Sequence, residues 1–302
     1  MKFTHIFIFL ILFLILIKPL YAKQMYVLEK KDVIVLYDMH LKPVAKEVGV
    51  IYPAIKADLE RIFRWDLNIR PTVALMKDRK TFQRMAESPL TVAFAIPAKN
   101  LIVIDYSRIS MHPFSLDIVL KHELCHLLLH HHIKEVLLPR WLDEGIAQWT
   151  SDGFSDVISN QNRSLLNQAA FRGKFIYLGS LEKDFPTQNE SLLLAYEESK
   201  NFLVYLIGRF GKDKVMRVLD LMKKGDCADV AVLKSLSTTI EKLEREWHHS
   251  LRQKMTWFTY LSNHLYDILF VLMALITILA FVKMMIRKRA YRDNDSDDTN
   301  VS

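Results

Sequence analysis

Apolar residues run unbroken for 12 positions from Ile6 to Ile17, behind Lys2 and ahead of Lys18, Pro19 and the small residue Ala22. Such a block is too short to cross a bilayer, and its order of basic start, apolar core and small residue is that of a secretory signal. Residues 1–22 are therefore expected to be a signal peptide cut after Ala22. A second block, Ile268 to Val282, is apolar except for Thr277, and Met284 to Ile286 carry it past Lys283. At about 1.5 Å per residue these 19 positions reach the thickness of a hydrocarbon core. Residues 268–286 are thus predicted to be a transmembrane helix. Trp257, Phe258, Tyr260 and Tyr266 precede it, and Arg287, Lys288, Arg289 and Arg292 follow. Aromatic rings favour the interface and basic residues the cytoplasmic side. The expected topology is a single pass, with residues 23–267 outside the cytoplasm and 287–302 a cytoplasmic tail, disordered from Asp293 onward.

Between the two blocks the apolar spacing alternates at first and then becomes helical. The β-branched stretch Val33, Ile34, Val35 marks a strand within 25–37. Val44, Val48, Ile51, Ile55, Leu59 and Ile62 recur at helical intervals over 42–65. A strand is predicted at 72–76, a short helix at 79–86, and a hairpin of 91–96 with 101–106 across Pro97 to Asn100, whose second arm offers a sheet edge. Helices are then expected at 115–133, opened by Ser115 and Asp117, at 139–150, 157–171 and 190–210, at 212–224 and as one piece over 233–256. The reading is α+β: a small mixed β-sheet in the first half, a mainly helical second half and one C-terminal transmembrane helix.

Composition narrows the chemistry. The 302 residues hold 8 glycines, against about 21 at average usage, and neither GxGxxG nor GxxxxGK occurs, which disfavours phosphate-cradling loops. Of the net charge of +7, residues 23–267 keep about half, with 34 Lys+Arg against 30 Asp+Glu. That balance gives no reason to expect nucleic acid as a partner. Cys125 and Cys227 allow one disulfide and imply no framework.

The string His122-Glu123-Leu124-Cys125-His126 lies inside the predicted helix 115–133. Two histidines four apart differ by about 40° in direction and can share one ion, with Glu123 beside them to reach a water. Neutral imidazoles bind zinc, zinc acidifies water, and a carboxylate takes the proton. Two residues compete as third ligand. His132 is six positions beyond His126, so on a continuous helix it points about 240° away, and Leu129 supplies no glycine turn. His130, His131 and His132 are expected to be exposed or to cap the helix C-terminus. Glu144 follows His126 after 17 residues, enough for a turn at Pro139 and a returning helix.

HELCH followed by WLDEGIAQW resembles the gluzincin zinc peptidases, in particular the peptidase MA-like bacterial proteins related to the aminopeptidase N family. The gap is one residue shorter than in those aminopeptidases. The resemblance implies Zn2+ held by His122, His126 and Glu144, Glu123 as general base, a peptide or protein substrate, and a bacterial cell membrane as location, with the catalytic domain on its periplasmic or extracellular side. By looser analogy Tyr196 donates a hydrogen bond to the oxyanion. Asp143 is either an outer partner of a ligand histidine or a solvated carboxylate. The family's GxMEN motif is missing, with 91–96 in its place, so the resemblance implies an endopeptidase. The alternative is a non-catalytic, membrane-tethered zinc module that recognises a protein partner.

Overall fold

A computed structural model describes residues 25–86, 88–109, 115–151, 165–263 and 265–297. The expected signal peptide and the start of the predicted helix 157–171 lie outside these residues. The described residues divide into two compact units, one of those up to Leu166 with Ile176–Arg245 and one of Asn167–Phe175 with those from Glu246 on.

The first unit begins with a hairpin where one strand was expected. β1 (Tyr26–Glu29) and β2 (Ile34–Tyr37) pair antiparallel, with Glu29 opposite Ile34. The intervening Lys30-Lys31-Asp32 cannot bury a face, and the Lys30 amide donates to the Val33 carbonyl to close the turn. α1 (Lys42–Phe63) buries Val44, Val48, Tyr52, Ile55, Leu59 and Phe63, the stripe its period implies. It connects β2 to the parallel strand β3 (Thr72–Met76).

After a short helix α2 (Arg79–Gln83), β4 (Ala93–Ile96) and β5 (Leu101–Asp105) form the expected antiparallel hairpin. The sheet order β1-β2-β3-β5-β4 corrects one expectation. β5 pairs parallel with β3, so 101–106 is interior, and β4 is the edge strand. Burial follows the exchange: Ile102, Val103, Ile104 and Asp105 of β5 are all buried, whereas β4 buries Ala93 alone. A strand covered on both faces reads as a continuous apolar run.

From β5 the chain enters helices: α3 (Tyr106–Ile109), then α4 (Leu116–His132). Ser115 precedes α4 as expected, but its hydroxyl bonds the Asp117 carboxylate rather than capping a backbone N–H. Val119, Leu120, Leu124, Leu127, Leu128 and Leu129 make α4 apolar nearly all round, the pattern of a helix enclosed by neighbours. The Lys121 ammonium ties it to Asp58 of α1 at 2.7 Å. α5 (Arg140–Thr150), α6 (Leu165–Arg172), α7 (Asn189–Phe210) and α8 (Lys212–Lys223) follow.

The last predicted ectodomain helix is two, α9 (Ala228–Leu236) and α10 (Ile240–Asn263), because Ser237 turns left-handed at φ 56°. Both cysteines are free, Cys125 buried and Cys227 exposed, so the single allowed disulfide does not form.

In the second unit Phe175 stacks on His248, with ring centroids 4.0 Å apart and planes 8° from parallel. The same unit holds α11 (Leu265–Asp297). Its residues Leu265–Met285 have a mean hydropathy of 2.6, are long and apolar enough to cross a membrane once, and bury nothing within the protein. Phe270 is 76% exposed. A surface of this kind needs lipid for solvent. The helix continues to Asp297, where disorder was expected from Asp293.

Candidate metal centre

Three apolar turns of α4 hold the histidines in place, and α5 returns alongside with Glu144. The chain leaves α4 at Ile133, whose amide still bonds the Leu129 carbonyl, and passes a 3-10 turn at Glu135–Leu137. Pro139, extended at φ −67° and ψ 142°, then opens α5. Trp141 packs edge-on against Phe202 of α7, with centroids 5.4 Å apart. Gly145 lets α5 approach α7 closely, since a Cβ there would lie 2.7 Å from the Ser199 carbonyl oxygen. The residue after Glu144 is thus the point of close approach between the two helices.

His122, His126 and Glu144 converge. The two Nε2 atoms are 3.2 Å apart, and Glu144 Oε2 lies 3.6 Å from the first and 3.7 Å from the second. Donor atoms held tetrahedrally around one zinc at about 2.0–2.1 Å stand about 3.3 Å from each other. The three observed separations bracket that value. Among the described residues Glu144 Oε2 is also buried without a hydrogen-bond partner, an arrangement that costs free energy unless a cation completes it. Two imidazoles and one carboxylate are the donor set of a catalytic zinc site with a position left for water. The residues therefore fit Zn2+.

The electrostatics agree. Burial alone would disfavour a charged His126, but Asp143 and Glu144 push its pKa up to about 10. Burial would likewise raise Glu144, yet His126 and His122 hold it below the usual carboxylate range. The site attracts positive charge. Glu123, 3% exposed, is instead pushed above the usual range by burial, against the pull of both histidines.

Of the two readings of Asp143, the structure shows a partner of His126 rather than a solvated carboxylate: its Oδ1 accepts from His126 Nδ1 at 2.8 Å. Its Oδ2 bonds His130 Nε2 at 3.0 Å, a contact the sequence reading missed. The available signal was spacing, because His122, His126 and His130 recur every fourth residue along one side of α4. His132 points elsewhere, as expected, with Nε2 at 2.8 Å from the Asp66 carbonyl oxygen and its ring against Trp65.

His122, Glu123, His126, Glu144 and Tyr196 all line one cleft of about 1200 Å³, with edge strand β4 along its wall. The Tyr196 phenol is pushed up by burial and by Glu144. Its ring lies 5.1 Å from Phe185, over which the Arg140 guanidinium sits at 5.4 Å.

The sequence pattern of the Peptidase MA superfamily matches residues 73–253. No curated protein matches the chain by sequence. Among solved structures, leukotriene A4 hydrolase from Saccharomyces cerevisiae is similar at 13% identity and a TM-score of 0.40, over 70% of this chain and 35% of that one. A variant of an M1 zinc metallopeptidase from Deinococcus radiodurans is similar at 14% identity and a TM-score of 0.43, over 76% of this chain and 51% of that one. This chain thus spans between a third and about half of those proteins' length. Matched over more than half its length, with the metal-binding helices inside the matched region, the chain belongs to the Peptidase MA superfamily.

Proposed function

We propose that the protein is a membrane-anchored zinc peptidase that cleaves internal peptide bonds of extended polypeptides. The observation that carries this reading is the convergence of His122, His126 and Glu144 in a cleft that also holds Glu123. In this reading the three residues hold zinc, which when bound supplies Lewis-acid polarisation of the scissile carbonyl and lowers the pKa of water. Glu123 accepts the proton of the attacking water and delivers it to the leaving amine. Its upward-shifted pKa suits both halves of that transfer, since a base poised nearer neutrality gives its proton back more readily. Tyr196 donates its phenolic O–H to the oxyanion.

Internal cleavage is favoured by the cleft wall. β4 is the edge strand, and a substrate laid along it gains main-chain hydrogen bonds without a demand on side-chain identity. Its sequence Ala-Phe-Ala-Ile carries no carboxylate to take a free amino terminus. The domain scheme of this reading is a signal peptide at 1–22, a peptidase domain at 23–267, an anchor at 268–286 and a tail at 287–302. A cytoplasmic tail with the cleft outside is supported by the basic residues Arg287, Lys288, Arg289 and Arg292 just after the apolar stretch.

Glu123→Gln is the direct test. The variant should bind zinc as the wild type does and lose cleavage of an unfolded protein, about a thousandfold or more, within the range that general acid–base catalysis supplies together with water activation. Unchanged cleavage would overturn the assignment. A peptide blocked at its amino terminus separates the two modes: cut as well as its free counterpart by an endopeptidase, spared by an aminopeptidase.

A further inference from the structure

His130 lies one helical turn beyond His126 on α4, and its contact with Asp143 gives the metal centre an outer layer two residues deep. Asp143 stands on α5 between the levels of the two histidines. Its Oδ1 is 2.8 Å from His126 Nδ1 and its Oδ2 3.0 Å from His130 Nε2. Only 14% of the Asp143 side chain and 16% of the His130 side chain are exposed, so water competes little for either bond. We propose that His130 is a positioning residue for the metal centre, acting through Asp143 to hold His126 in the orientation and tautomer that present Nε2 to the ion. This rests on the reading of His122, His126 and Glu144 as ligands.

The chemistry runs outward from the ligand. For His126 Nε2 to offer a lone pair, the proton must reside on Nδ1, and Asp143 Oδ1 is the acceptor that keeps it there. A carboxylate anchored through one oxygen can still rotate about its Cβ–Cγ bond and present either oxygen. Anchored through both, by donors on adjacent turns of one helix, it has one orientation. Because His126 and His130 share α4, their spacing is fixed by the helix. The two bonds therefore also fix where α5, and with it Glu144, meets α4. His130 is not itself a ligand in this arrangement: its Nε2 faces Asp143, and the convergent donor atoms belong to His122, His126 and Glu144.

The test compares His130→Phe, which keeps a ring without the N–H, with His130→Gln, which keeps an N–H donor. Zinc affinity of the full chain in detergent micelles is read by competition with a chelator, and thermal unfolding of the metal-free forms reports packing. His130→Phe should weaken zinc binding about tenfold, in the range found for outer partners of metal ligands, and His130→Gln should return it to within about twofold of wild type. In an Asp143→Asn background His130→Phe should add less than about a further twofold, because the carboxylate it acts through is gone. Wild-type affinity in His130→Phe overturns the proposal, and so does equal weakening by Phe and Gln, which would make the ring rather than the donor responsible. A wild-type chain that takes up no zinc would instead sink the ligand assignment beneath it.

Discussion

Helices α5 and α7 each bury carboxylates near their closest approach, and burial has opposite outcomes on the two sides. Asp143 and Glu144 of α5 are held below the usual range, although burial by itself would raise them, because imidazoles surround them. Glu198 of α7, fully buried, is pushed up to about 8 by burial. Its partner is one backbone N–H, that of Ile176, at 3.2 Å from each oxygen, and Glu244 and Glu197 add repulsion. Burial pushes all of these carboxylates up; beside the imidazoles it is overcome at Asp143 and Glu144, and at Glu198 it prevails. One set is built to hold a cation. The other, whose neutral form burial favours, pins a loop.

The loop so pinned borders the cleft. Glu198 takes the amide of Ile176, and Glu244 of α10, also raised by burial, takes that of Leu178 at 2.8 Å. Tyr177, between the two anchors, is 59% exposed and lines the cleft.

The largest effect should come from removing a ligand. Glu144→Gln is expected to weaken zinc binding by well over the roughly 10–100-fold typical of outer-partner mutations, and to abolish cleavage with it. Glu198→Gln should leave zinc affinity unchanged. Equal loss in both variants, measured by chelator competition, would erase the distinction between the two carboxylate sets.

Second in size is the pH dependence of stability. For an acid whose folded pKa is raised, the folded state binds the extra proton between the unfolded value, about 4.3, and the folded one, about 8. Stability associated with Glu198 is thus greatest below that window and is lost as pH rises through it. At about 1.4 kcal/mol for each pH unit the window spans, the ceiling is a few kcal/mol. Glu198→Gln mimics the neutral acid, so its melting temperature should fall less than that of the wild type between pH 5 and 8. Parallel curves would mean that Glu198 is ionised in the fold and that the contrast with Glu144 is wrong.

The two sets also differ in how far a reader of the sequence can see them. HELCH and WLDEG carry their chemistry in residue type and spacing, because a helix converts an interval of four into a shared direction. Glu144, with its 17 intervening residues, needs only a turn to arrive. Glu198 sits in Glu197-Glu198-Ser199, which looks like any solvated helix face. That Glu198 faces inward depends on which side of α7 meets α5, a tertiary fact that local pattern does not encode. The same limit explains the edge strand. The hairpin of β4 and β5 follows from Pro97 to Asn100, but which arm pairs with β3 is decided by a parallel crossover through distant residues. The break at Ser237 has a similar origin: a non-glycine residue at positive φ leaves no compositional mark.

Gly145 joins the two sides, and its substitution gives the smallest and most finely balanced effect. Alanine in a helix interior is favoured over glycine by about 1 kcal/mol on propensity alone. Against this, the added methyl would stand 2.7 Å from the Ser199 carbonyl oxygen and 3.6 Å from Leu203 Cβ. The nearer obstacle is backbone of α7, so it cannot swing aside as a side chain would, and overpacking of this kind costs about 1–3 kcal/mol. The net expectation for Gly145→Ala is a loss of about 1 kcal/mol in thermal stability. Moving α5 away from α7 also displaces Glu144, one residue before it, so zinc affinity should fall by a few-fold while the Glu198 pH dependence shrinks as its seat opens to water. A variant that is more stable than wild type, with zinc affinity intact, would show that the α5–α7 contact has room for a methyl and that the depth of Glu144 is set elsewhere, by Trp141 against Phe202.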